Sequence, residues 1–368
     1  MYIKEVVLRK VNMKMKNPFT TSFGTQQDRK FIIVEAIDDQ EVSGWGECVS
    51  TNSPLYIEEF TDSAWYMLKD HLIPMILHKE IKHPDELQDY FQMFKRNNLA
   101  KSAIEGAIWD LYAKKQNKSL AACLGGVHDS IEVGVSIGIE ENTNDLLTSI
   151  QNKVQEGYKR IKVKIRPGKD LTVLKEIRKQ FPSIPLMVDA NSAYTLDDIE
   201  IFKEMDAFHL MMIEQPLAAG DLIDHAKLQK EISTPICLDE SIHSLENVRQ
   251  AIEIESCKII NLKVGRVGGL TQSLKIHDLC KKNNIPLWCG GMLESGVGRA
   301  HNIAITSLAN FTLPGDTASS SKYWHKDIIK PEVTVEDGKL NVPTEAGIGY
   351  SIDLEELNKH TVETLVLQ

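Results

Sequence analysis

The chain has 368 residues, more than a typical single domain, and its 42% hydrophobic content is ordinary for a globular protein with a sizeable core. A formal net charge of −10 argues against a general nucleic-acid binder, which would show a concentrated basic surface. No apolar run approaches the roughly 20 residues of a membrane span, and the stretch from Met1 to Leu8 lacks a signal-peptide pattern, so a cytoplasmic protein without a membrane partner is expected. Six cysteines, at positions 48, 123, 237, 257, 280 and 289, form no CxxC pair and read as reduced thiols rather than a disulfide frame.

Residues 1 to about 50 read as antiparallel β-structure, from the alternation of Ile3, Val6 and Leu8 and the run Phe31 to Ile37. Between them, Asn17 to Thr25 is a polar, glycine-containing loop with two aromatic residues, either plain connection or a mobile cover over a pocket. A second covering loop is expected from Gly44 through Tyr56. From Ile57 the pattern turns helical. Its best-defined helix is Ala100 to Tyr112, with Ile104, Ile108 and Leu111 on one face, and Leu124-Gly125-Gly126 is a plausible stop. A domain boundary is drawn there, giving 1–126, 127–320 and 321–368.

Beyond that boundary, short apolar runs recur, each ending in an ionisable residue: Lys164, Asp189, Glu214, Asp239 and Lys263, separated by 25, 25, 25 and 24 residues. A fixed period of this size, strand then helix, marks a stacked β/α unit. Closed into a barrel, such units bring the strand ends together at one rim, where active sites of this architecture sit. The first strand is expected at 132–139, helices at about 143–156, 170–180, 196–204, 221–231, 244–253 and 269–283, the seventh strand at 286–292 and the eighth at 310–313. After about Ser320 the period is lost, and 321–368 reads as turns and short strands that pack back on the first domain.

Asp189, Glu214 and Asp239 would repel one another and raise one another's pKa unless a cation lay among them, and the oxygen set suits Mg²⁺, with Mn²⁺ also accommodated. A bland alternative is an ion network with Lys162 and Lys263. Lys164 lies in Arg160-Ile161-Lys162-Val163-Lys164-Ile165, where strand alternation puts Lys162 and Lys164 on one face. Beside a metal and a second lysine its pKa is expected to fall, which suits a base, while Lys162 one step deeper is a fixed positive partner. Lys263, from a strand across the barrel, would face the opposite side of a bound carbon centre. Arg266 either tunes Lys263 or is a plain loop arginine. Such a set suits removal of a proton from the carbon beside a carboxylate, in a small-molecule substrate.

These residues, with Asp239-Glu240-Ser241 and Asn261 to Gly269, resemble the enolase superfamily in its muconate-lactonising subgroup over almost the whole chain. The resemblance implies an α/β fold in which an N-terminal α+β capping domain is joined to a modified (β/α)₇β TIM-type barrel, and it leans toward a homo-oligomer. Gly290 to Asn302 and Gly315 to Ser320 look like the o-succinylbenzoate synthase and N-succinylamino acid racemase family. In a synthase Lys164 would take the α-proton and return it to the leaving hydroxyl, with Lys263 an electrostatic partner; in a racemase the two lysines would trade roles. Ser136, Asn191, Gly291 and Met292 are candidates for the substrate pocket, with Phe19, Thr20, Phe23 and Tyr56 closing it from the capping domain; ordinary packing is an equal alternative for each. Rival chemistries are a dipeptide epimerase, an acid-sugar dehydratase, a muconate cycloisomerase and a Schiff-base aldolase; a barrel that only binds an anion would leave the lysines and acids without a purpose. The Asp-x-Asp run usual in dipeptide epimerases is missing here.

Overall fold

In the computed structural model, residues 1–21, 24–138, 140 and 142–368 are described. The N-terminal part is built on strands β1 (Ile3–Thr21), β2 (Gly24–Asp38) and β3 (Ser43–Cys48), paired antiparallel in that order. The stretch expected as a loop at 17–25 is instead largely ladder. Pairing of β1 with β2 is interrupted between Lys14 and Phe19 and then resumes as Phe19 opposite Gln26 and Thr20 opposite Thr25. Its mixed composition shows no apolar alternation, yet a ladder forms, because its hydrogen bonds are made by the backbone.

Against this sheet lies the helix Asn98–Lys115, longer than the expected segment and buried along most of its length. Its small residues allow close contact: a Cβ at Gly46 of β3 would collide with the Ala103 carbonyl oxygen, so the strand can rest directly on the helix. A short helix, Leu120–Leu124, ends at Gly125 with φ of 85°, the left-handed cap that glycine favours.

Seven parallel strands follow in sequence order: β4 (Val135–Ile137), β5 (Ile161–Lys164), β6 (Leu186–Asp189), β7 (Ile213–Glu214), β8 (Ile236–Leu238), β9 (Ile259–Leu262) and β10 (Leu287–Cys289). Helices Thr143–Gln155, Asp170–Gln180, Ile199–Met205, Leu222–Glu231, Leu245–Glu253 and Leu270–Lys282 connect them, close to their expected positions. The expected first strand is split: Ser130–Glu132 leaves to pair with Lys339–Asn341, and β4 begins after Gly134. The eighth strand is reduced to isolated bridges. Phe311 bridges Leu287 of β10 and Gly315 bridges Val133, so this segment spans the gap between the last and first strands. Pro314 lies between the two bridges and has no N–H to donate, which breaks a regular ladder.

Inside the strands, residues two positions before the rim form a layer of Met187, Met212, Cys237 and Trp288, all buried. The tail adds the helix Leu354–His360 and the strand Thr361–Leu367, which pairs antiparallel with β1 at the free edge of the N-terminal sheet. The sequence pattern did not reveal that helix. All six cysteines are free. No helix among the described residues is long and apolar enough to cross a membrane.

Candidate active site

Parallel pairing aligns Lys164 with Asp189 and Asp189 with Glu214, so the acids and the lysine stand side by side at the ends of β5, β6 and β7. Lys164 Nζ donates to Asp189 Oδ2 and to Asn191 Oδ1, both at 2.6 Å. Asn191 has φ of 43°, a left-handed turn that asparagine tolerates, and this turn lets its side-chain amide also donate to Glu240 Oε1 at 2.9 Å. On the far side, Lys263 Nζ donates to Asp239 Oδ2 at 2.8 Å and to the Tyr56 hydroxyl at 2.6 Å. Arg266 Nη1 donates to Asp239 Oδ1 at 2.5 Å and to Tyr56 at 3.2 Å, which ties it to the lysine's two partners rather than to a loop.

Lys162 points inward one layer deeper, its Nζ 3.0 Å from Glu214, 3.5 Å from Asp189 and 4.8 Å from the Trp288 ring centroid. Arg160, two residues earlier, continues this column and is 2.6 Å from Asp316. A Cβ at Gly134 would stand 2.5 Å from Arg160 Nε, so glycine makes room for the guanidinium.

Burial disfavours every charge in this cluster, and the neighbours decide each outcome. It works against the Lys162 ammonium, but Asp316, Glu214 and Asp189 outweigh it and hold the group well above the ordinary lysine range. For Asp189, Lys164 and Lys162 overcome burial and lower the carboxyl; for Asp239, Arg266 and Lys263 do so. Burial also opposes the Lys263 charge, yet Asp239 keeps it raised. Glu214 goes the other way: burial and the neighbouring Asp189 push it up to about 8. Glu240 is pushed up to about 7 by burial and Asp239.

A cavity of about 480 Å³ is lined from the barrel by Lys162, Lys164, Asp189, Asp239 and Lys263 and from the N-terminal part by Tyr56. Ser136, Asn191, Gly291 and Met292 also line it. Glu214 does not; it lies below the floor, against Lys162 and Asn261. Of the other expected pocket residues, Phe23 falls outside the described residues, and for Phe19 and Thr20 only the backbone pairing is described.

Among the described residues no three acidic, histidine or cysteine side chains converge as a ready-made metal group, because lysines occupy the space between the carboxylates. The donor set nevertheless fits a hard cation. Asp189, Glu214 and Asp239 supply only oxygens, burial and Asp189 push the Glu214 carboxyl up despite Lys162, and the buried atoms Glu240 Oε2 and Asn261 Oδ1 have no partner.

Sequence reasoning passed over Asp316 as a site residue. It accepts from Arg160, faces Lys162 at 3.2 Å and Ser136 Oγ at 3.4 Å, and lines the cavity. The rule that strand ends carry the chemistry, applied to the eighth segment, would have found it. Arg29 was also missed. It is buried at the cavity wall and donates to Ser50 O at 2.8 Å and Met292 O at 3.1 Å.

Residues 145–357 match the family described as enolase C-terminal domain-like, and residues 3–125 match the mandelate racemase / muconate lactonizing enzyme N-terminal domain. The chain belongs to the enolase superfamily. Among relatives within it, a protein from Geobacillus kaustophilus named o-succinylbenzoate synthase is 55% identical over 98% of this chain and 96% of its own length. A Thermus thermophilus protein named N-succinylamino acid racemase is 43% identical over 98% of each chain. A solved enolase superfamily member from Listeria innocua superposes with a TM-score of 0.97 at 43% identity, covering 100% of this chain and 99% of that one. The enolase superfamily fold, a capping domain on a modified barrel, is therefore the fold of this chain, and enzymes of this superfamily are typically metal-dependent.

Proposed function

We propose that this chain is an o-succinylbenzoate synthase, with N-succinylamino acid racemisation as a second activity of the same site. The observation that carries this reading is the placement of Lys164 and Lys263 on opposite sides of the strand-end acids, in a chain so similar over its whole length to proteins bearing that name. The substrate is 2-succinyl-6-hydroxy-2,4-cyclohexadiene-1-carboxylate. Lys164 takes the proton from the carbon that bears the carboxylate, then gives it to the departing hydroxyl on the same face; water leaves and the ring becomes aromatic. Lys263, held charged by Asp239, faces the other side and stabilises the negative charge that develops on the carboxylate oxygens. Lys162 contributes a second fixed charge from below.

Asp189, Glu214 and Asp239 are the residues that would hold Mg²⁺, or Mn²⁺ in its place. When bound, the metal stabilises charge on the substrate carboxylate as the α-proton departs. With the N-succinyl amino acid, Lys164 and Lys263 act on opposite faces of the α-carbon, one removing a proton and the other supplying one. Relatives named N-succinylamino acid racemase, 43% identical, favour this second reading. The reading places the enzyme in the cytoplasm, in menaquinone biosynthesis, as a homo-oligomer acting on small carboxylates rather than on nucleic acid or membrane.

Two assays on one preparation test it, each with Mg²⁺ and with EDTA. One follows dehydration to o-succinylbenzoate; the other follows α-deuterium incorporation into N-succinyl amino acids in D₂O. Metal-dependent turnover in both, with dehydration the more efficient, is expected. Exchange that survives EDTA, or no turnover in either assay, would overturn the proposal.

A further inference from the structure

Both compounds in the names of the relatives, one a product and one a substrate, carry a succinyl group, which ends in a second carboxylate several bonds from the reacting carbon. The lysines of the reaction centre are engaged by Asp189, Glu214 and Asp239, so a distal anion needs another cation. Arg29 and Arg299 line the main cavity, but Arg29 spends both terminal nitrogens on the carbonyls of Ser50 and Met292, leaving only its buried Nε without a partner, and Arg299 donates to the carbonyls of Glu294 and Ala318.

A second cavity, of about 410 Å³, shares Ser136 and Tyr323 with the first as a common wall. Three lysines line it. Lys153 is paired with Glu156 at 2.7 Å, and Lys16 is exposed. Lys322 is different: its Nζ is turned into the wall, donating to the Ser136 carbonyl at 3.1 Å, 5.0 Å from the Tyr323 ring centroid. Among the described residues no carboxylate lies within salt-bridge distance of it, whereas Arg160 and Lys162 each have one; Arg299, on the same Tyr323 ring, also lacks one but donates to two backbone carbonyls. Burial lowers its ammonium to about 7, against the more distant Asp316. A half-buried cation without a contacting anion is a poor structural element and a good receptor for one.

We infer that Lys322, in the second cavity behind the Ser136–Tyr323 wall, reads the terminal carboxylate of the succinyl group and so sets the enzyme's preference for succinylated substrates. This rests on the proposed function. Ser136 lies opposite Lys162 in the β4–β5 register, so the Lys322 contact continues the row that starts at the reaction centre. The substrate would lie along that row, its reacting carboxylate at the acids and its tail at Lys322.

The test compares α-deuterium exchange of an N-succinyl amino acid with that of the N-butanoyl analogue, which has the same chain length without the carboxylate. In the wild type the succinyl substrate is expected to have the higher kcat/KM by about 10- to 100-fold, the range of one charge-assisted hydrogen bond. Lys322→Met should bring that ratio to within about threefold of unity, mainly through a higher KM for the succinyl substrate, and Lys322→Arg should restore most of it. Circular dichroism and thermal melting confirm that both variants fold. Should Lys322→Met misfold, Lys322→Gln, which keeps a polar donor without the charge, takes its place in the comparison. Equal losses on both substrates, or an intact succinyl preference without the charge, would overturn the inference while leaving the function standing. No exchange by the wild type with either substrate would overturn the function and this inference together.

Discussion

Lys164 and Lys263 occupy equivalent strand-end positions but have different surroundings. Lys164 is held by one carboxylate and an asparagine amide; Lys263 shares Asp239 with Arg266 and contacts Tyr56. Lys164→Ala should therefore lower kcat for both dehydration and exchange by about 10²- to 10⁴-fold, the usual worth of a positioned acid–base group. Lys263→Ala should suppress racemisation as strongly but dehydration less, because only racemisation needs a proton from the second face. Steady-state kinetics with both substrates decide this, and full racemase activity in Lys263→Ala would rule out the two-base assignment. Asp316 has a structural duty as well: it is the carboxylate that faces both Arg160 and Lys162. In Asp316→Asn two buried cations lose a charge partner, and urea unfolding should show a loss of about 3–5 kcal/mol.

At the level of elements, three buried glutamates bind helix N-termini. Glu59 accepts from Leu99 N and Ala100 N, Glu105 from Leu270 N and Thr271 N, and Glu47 from Ser295 N and Gly298 N. Burial pushes each carboxyl up to about 7, despite these donors. A carboxyl whose folded value lies above its unfolded value of about 4.5 binds its proton more tightly in the fold. Its contribution to stability is present below that unfolded value and is lost as pH rises through about 7. Wild-type unfolding free energy should thus fall more steeply between about pH 5 and pH 8 than that of Glu105→Gln, which does not titrate. Chemical denaturation of the two proteins across that range measures the difference. These caps were not legible in the sequence, since none of the three glutamates lies next in the chain to the donors it binds except through the fold. The barrel strands were legible, because their 25-residue spacing reflects one repeated packing unit. The resumed β1–β2 pairing at Phe19–Gln26 and Thr20–Thr25 was missed for the opposite reason: it is made by the backbone and leaves no apolar alternation to read.

For the whole molecule, the charge cluster at the rim couples ligand binding to stability. If Asp189, Glu214 and Asp239 hold Mg²⁺, the metal should raise the unfolding free energy by about 2.7 kcal/mol at a hundredfold excess over its Kd. Asp239→Asn should remove most of that increment, and calorimetry with and without EDTA measures it. Much of this cluster was visible in the sequence: Lys164, Asp189, Asp239 and Lys263, picked out by their spacing, line one cavity. What spacing could not show is the vertical order, with Glu214 beneath the floor and Asp316 at the cavity wall with Arg160 behind it, because depth depends on barrel closure. The glutamate caps also bear on how this protein can be recombined. Glu47 and Glu105 come from the N-terminal part, yet the helices they serve, Gly296–Thr306 and Leu270–Lys282, belong to the barrel. A chimaera that grafts a foreign cap onto this barrel inherits open amide donors at two helix starts unless the donor cap brings acids to the same two places, so the seam between the halves is set by shared hydrogen bonds and not by the linker that joins them.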